Sequence, residues 1–131
     1  MKTKLFKDKQ ILIREINKAD LKKAKKFQDF INSLTEKGAH LLINEKMSIK
    51  DEIKFLEGVI KATKSKTKVF LVAEHDDKVI GTVSVELEKW RRNHIGKFGI
   101  AIRDGYRGMG LGKHLMLEII KLAKRELKPK P

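Results

Sequence analysis

A chain of 131 residues with 31 Lys+Arg against 17 Asp+Glu has room for one hydrophobic core, and its formal net charge of +14 attracts anions of every kind. Cysteine is absent, which excludes a disulfide framework, a thiolate nucleophile and a cysteine zinc site. No apolar run approaches the length of a bilayer span, and the basic start MKTKLFKDKQ is followed by no apolar h-region. The sequence therefore reads as one soluble, cytoplasmic domain over 1–131 that needs no metal.

After that basic lead-in, QILIREI (10–16) is rich in β-branched residues and predicts a strand. Asp20 offers an N-cap to a helix carrying Leu21, Ala24, Phe27, Ile31 and Leu34 at helical spacing, ended by Gly38. Ser48 and Asp51 form an S-x-x-D capping signature for a second helix. Its expected buried stripe is Ile49, Ile53, Leu56 and Ile60, with Lys50, Lys54 and Lys61 left to solvent.

From Lys68 the period becomes extended. KVFLVAEH (68–75) and KVIGTVSVELEK (78–89) flank Asp76-Asp77, residues that a tight hairpin turn prefers. Trp90 to Asn93 read as a connection and HIGKFGIAI (94–102) as a third antiparallel strand. A last helix is expected from about Leu111 to Leu127, with Leu111, Leu115, Ile119, Leu122 and Ala123 facing a sheet and Pro129 and Pro131 closing it. The order of a strand, two helices, three strands and a helix is an α+β pattern around an antiparallel meander.

Between the third of those strands and the last helix, RDGYRGMGLGKHL (103–115) places four glycines within eight positions. Glycine is the costliest residue to order, so such a cluster needs a reason. The nucleotide-hydrolase pattern G-x-x-x-x-G-K-S/T fails, with Arg107 at the first glycine and His114 at the hydroxyl. The dinucleotide pattern G-x-G-x-x-G, begun at Gly110, meets Leu115 at its third glycine and has no second βα unit. A third pattern, Gln/Arg-x-x-Gly-x-Gly/Ala, fits Arg107-Gly108-Met109-Gly110-Leu111-Gly112. Backbone amides from Gly108 to Lys113 would then be unpaired donors at a helix N-terminus, with Arg107 and Lys113 as cationic support for a pyrophosphate.

FGIAIRDGYRGMGLGKHLMLEIIKLAK (98–124) resembles motif A of the GCN5-related N-acetyltransferase (GNAT) family. The resemblance extends over roughly residues 10–127 through the preceding element order. It implies a mixed, mainly antiparallel sheet flanked by helices, and transfer of the acetyl group of acetyl-CoA to a primary amine. The family's pyrophosphate cradle maps onto Arg107, Gly108, Gly110, Leu111, Gly112 and Lys113. Main-chain groups of Ile100, Ala101 and Ile102 hold the position of those that take the pantetheine arm. A general base is harder to place: Lys97 stands where an acid is expected, and Glu86 is the best candidate, grouped by alternation with Ile80, Thr82 and Ser84 opposite Val79, Val83, Val85 and Leu87. His94 and Tyr106 read as structural.

The family's usual C-terminal strand, helix and hairpin have no counterpart before Pro131. The resemblance therefore implies an incomplete domain whose strand 94–102 has an open edge, which a second copy of the chain could complete. Two competing readings keep the fold without catalysis. One is an acyl-CoA-binding module; the other is a basic module for nucleic acid or ribosomes. The net charge motivates the latter, although no helix-turn-helix, base-stacking aromatic strand or arginine-rich stripe supports it.

Overall fold

The computed structural model describes residues 2–6, 8–36, 48–90 and 93–127. Two antiparallel strands open the chain, β1 (Lys2–Phe6) and β2 (Lys9–Glu15). A short 3-10 helix (Lys18–Lys23), α1 (Ala24–Glu36) and α2 (Ile49–Lys64) follow. The meander β3 (Lys68–His75), β4 (Lys78–Trp90) and β5 (Asn93–Ile102) then leads into α3 (Leu111–Glu126). The strands form one sheet in the order β1-β2-β3-β4-β5, every neighbouring pair antiparallel. Gly38, Pro129 and Pro131, read from the sequence as helix terminators, lie outside the described residues.

Helices cover both faces of the sheet, and alternation along β3 shows how. Val69, Leu71 and Ala73 pack with Leu111, Leu115, Ile119 and Leu122 of α3. Phe70 and Val72 pack on the other face, with Phe27, Phe30 and Leu34 of α1 and Leu56, Val59 and Ile60 of α2. Residues 69–73 are all buried, as a central strand covered on both sides should be. Each fully buried Leu or Ile contributes about 1.5–3 kcal/mol relative to exposure, so the α3 stripe anchors the helix firmly to the sheet. That stripe is the one expected from the sequence.

Four local expectations change. The basic lead-in is not a tail: Lys2–Phe6 pairs in register with Lys9–Ile13 and buries Phe6. The first helical segment starts earlier than Asp20. Asn17 caps it, its Oδ1 accepting the Ala19 N–H at 2.9 Å, while Asp20 sits at the third helical position and accepts the Asn17 N–H at 2.8 Å. Asp20 is buried because Arg14 meets it with two hydrogen bonds, at 2.7 and 2.9 Å, and also donates to Glu74; a buried carboxylate persists only with such pairing.

In α2, Ser48 does cap, its Oγ accepting the Asp51 N–H at 3.2 Å, but the buried face is turned. Ile49 and Ile53 are exposed, and Glu52, Leu56, Val59 and Ile60 face inward. Finally, a register shift at Ala73/Glu74 leaves Ile80 as an extra residue between the pairs Ala73↔Gly81 and Glu74↔Val79. A bulge inverts facing on one side of itself. Ile80 therefore joins the α3 core and Val79 the α1/α2 core, the reverse of simple alternation.

Candidate functional site

The segment joining β5 to α3 turns by means of three glycines with left-handed φ: Gly105 at 94°, Gly108 at 74° and Gly110 at 84°. A side chain at such angles is strained, so the glycine cluster is first a backbone requirement. It is also more. A Cβ built on Gly108 or Gly110 would meet no atom within 4 Å, so open space lies directly over this stretch of main chain. Gly112 differs, because its Cβ would stand 3.2 Å from the Ile102 side chain; here glycine serves close packing of α3 on β5.

Gly110 is the N-cap of α3 and offers no side chain to cap it. Intrahelical bonding begins when the His114 N–H donates to the Gly110 carbonyl at 3.1 Å. The N–H groups of Leu111, Gly112 and Lys113 precede that bond and find no acceptor within the helix. They add to the positive end of a 16-residue helix dipole. Leu111 contributes only this amide, since its side chain is buried. Arg107 and Lys113 are exposed beside the same opening. The Arg107 Nε donates to the Ile102 carbonyl at 3.1 Å, which ties one cation to the end of β5. The arrangement suits a multiply charged anion that can approach bare backbone.

Of the three β5 residues expected to face a ligand, register separates two from one. The Arg103 N–H donates to the Ile80 carbonyl at 2.8 Å, and antiparallel bonding alternates along a strand. Ala101 thus turns its main-chain groups into β4, opposite Thr82, while Ile100 and Ile102 turn theirs to the outer edge. Among the described residues no strand pairs with that edge. Phe98 and Ile100 are exposed along it, as are Met116 and Ile120 on α3.

Glu86 lies on the α1/α2 face of the sheet, half-buried, between Lys68 of β3 and Lys97 of β5 in register. Its own face-mates are Thr82 and Ser84, and after the bulge Val79 rather than Ile80. Glu86 stands five positions along β4 from Gly81, the partner of Ile102, so about 17 Å of strand lies between Glu86 and the start of the glycine loop. His94 pairs with Lys89 in the far part of β5, remote from the loop. Tyr106 lies within the loop and packs against the α3 core, the structural place expected of it.

Sequence reasoning missed three features. Lys9 of β2 donates to the Gly105 carbonyl at 3.2 Å and stands 4.5 Å from the centre of the Tyr106 ring. Arg103 pairs with Asp29 of α1 at 2.9 Å. Glu52 is buried at 1% exposure, its Oε2 has no partner among the described residues, and burial pushes its carboxyl up to about 7. The first two join residues far apart in sequence. An apolar count along α2 could have revealed the third, because placing Leu56, Val59 and Ile60 on one face brings Glu52 with them.

The sequence profile of the acetyltransferase (GNAT) family matches residues 35–128. No curated protein sequence matches the chain. Among solved structures, an acetyltransferase of the GNAT family from Streptococcus pneumoniae is 26% identical, with a TM-score of 0.68 over 90% of this chain and 70% of its own. The GNAT domain of PAT from S. lividans superposes with a TM-score of 0.70 at 17% identity, over 97% of this chain and 74% of its own. The yncA protein of Salmonella typhimurium, solved with its cofactor acetyl-CoA, gives a TM-score of 0.65 at 20% identity, over 88% of this chain and 64% of its own. With a strand, a left-handed glycine loop and an uncapped helix all inside the matched segment, this chain belongs to the GNAT family of acetyltransferases.

Proposed function

We propose that this chain transfers the acetyl group of acetyl-CoA to a primary amine by direct attack. The observation that carries the reading is the bare main chain at Gly108 and Gly110, left-handed and open above, leading into the uncapped start of α3. The amides from Gly108 to Lys113 would hold the pyrophosphate, with Arg107 and Lys113 neutralising its charge. Ile100 and Ile102 present edge groups to an amide-bearing arm, as a further strand would meet them. Ile102 offers its N–H, because Arg107 already occupies its carbonyl.

Bound acetyl-CoA supplies an activated thioester. The amine nitrogen forms a bond to its carbonyl carbon, the carbon–sulfur bond breaks, and the sulfur leaves as the thiol after taking up a proton. Glu86 is our candidate for the group that removes the amine proton. Lys68 and Lys97 stand opposite Glu86 on the two neighbouring strands. The open β5 edge is also where a second copy of the chain would add a strand, and sedimentation with and without acetyl-CoA tests whether cofactor and copy compete for it.

The test of the reaction is thiol release from acetyl-CoA in the presence of amines: amino acids, peptides with free N-termini, lysine peptides, polyamines and amino sugars. Release that depends on one amine class supports the transferase. Tight binding of acetyl-CoA with no release above the amine-free rate favours the acyl-CoA-binding reading. A steeply salt-dependent affinity for nucleic acid without cofactor binding favours the basic module.

A further inference from the structure

We propose that Lys9 is a positioning residue for the glycine loop, holding it in its anion-binding shape from the β1–β2 hairpin. The proposal rests on the reading of that loop as a pyrophosphate cradle. A loop whose turns depend on Gly105, Gly108 and Gly110 has few side chains with which to fix itself, and glycine-rich backbone is the most expensive to order. Of its side chains, only Tyr106 and Met109 are half-buried; Asp104 and Arg107 are exposed. What holds the loop must come mainly from outside it.

Lys9 supplies that hold through one ammonium group with two contacts. It donates to the Gly105 carbonyl at 3.2 Å, and it stands 4.5 Å from the Tyr106 ring centre, within cation–π range. Tyr106 also packs T-shaped against His75, ring centres 5.5 Å apart, and its N–H donates to the Arg103 carbonyl at 3.2 Å. The same hairpin reaches the first turn of α3, where Phe6 stacks edge-on against His114 at 5.5 Å. Phe6 and Lys9 are cross-strand partners beside the hairpin turn. One cross-strand pair thus touches both the loop and the first turn of α3 that follows it. A cradle shaped before the anion arrives does not spend binding energy on ordering itself.

The test uses the full chain and two readouts, the affinity for acetyl-CoA by calorimetry and amide hydrogen exchange across residues 104–110. Lys9→Gln, which removes the cation, is expected to weaken acetyl-CoA binding by about three- to tenfold and to speed exchange in the loop. Lys9→Arg, which keeps a cation for both contacts, is expected to restore both. Tyr106→Leu is expected to lower affinity similarly and to make the effect of a following Lys9→Gln change smaller than in the wild type, as coupled partners do. Wild-type exchange in Lys9→Gln overturns the proposal, as does a defect that Lys9→Arg does not repair. If the wild-type chain takes up no acetyl-CoA, the cofactor reading fails, and loop exchange still decides whether Lys9 fixes the loop.

Discussion

The Nε of Arg107 donates to the carbonyl of Ile102, the last residue of β5, at 3.1 Å. The bond joins the strand edge to a cation of the glycine loop, and the Arg107 side chain is otherwise exposed. Arg107→Ala should weaken acetyl-CoA binding by about tenfold or more, since a hydrogen bond to a charged group is worth about 1.5–3 kcal/mol. The salt dependence of binding should become shallower in step, because one cation is gone. Titrations at low and high ionic strength measure both effects; an unchanged affinity would move the anion away from Arg107.

Gly110 separates backbone strain from occupancy. At φ 84° a β-branched residue is strained, so Gly110→Val should cost about 1–2 kcal/mol of stability and confuse the result. Asn tolerates the left-handed region. Since a Cβ at this position meets nothing within 4 Å, Gly110→Asn should fold with a melting temperature within a few degrees of wild type. Its side chain would nevertheless fill the space over the main chain. The expected outcome is a folded protein whose melting temperature no longer rises with acetyl-CoA; a retained rise places the phosphates elsewhere.

Glu86→Gln keeps the shape of the β4 side chain and removes its basicity. If Glu86 accepts the amine proton, turnover should fall by about 10²–10⁴-fold, with the affinity for acetyl-CoA unaltered. Raising the pH should recover part of the rate, as more amine arrives already deprotonated. Equal loss of binding and turnover would instead make Glu86 a support for the sheet between Lys68 and Lys97.

Glu52 gives the fold a pH dependence of known sign. Burial lifts its carboxyl to about 7 from an ordinary value of 4.5. The folded state therefore binds more protons than the unfolded state between those values, and its stability falls as pH rises from about 4.5 through about 7. The whole shift corresponds to roughly 3 kcal/mol. Glu52→Gln should flatten this part of the profile and leave the variant more stable than wild type at pH 8. Urea unfolding at pH 5 and pH 8 is the check, and parallel wild-type and variant profiles would show that Glu52 has a partner.

Local rules made the glycine loop legible and non-local contacts hid its supports. The glycines at 105, 108 and 110 announce themselves because positive φ is a property of single residues. The α3 stripe is legible for a similar reason, a regular period with no interruption. β1 escapes because lysines dilute so short an alternation, and only Phe6 shows that it is buried. Asp20 misleads because Asp, Asn and Ser all make good caps, and Asn17 is three residues earlier. The bulge beside Ala73 exchanges Val79 and Ile80 with no residue type to mark it. Lys9 to Gly105 spans 96 positions, a contact that no window along the chain contains.

The cradle is tested most directly by calorimetric titration of acetyl-CoA into the wild-type chain, with Gly110→Asn as the comparison. The account predicts saturable binding, one acetyl-CoA per chain, in the wild type and loss of that heat in the variant, both proteins remaining folded. A folded wild-type chain that takes up no acetyl-CoA at millimolar concentration, or a variant that binds as well as wild type, would contradict it.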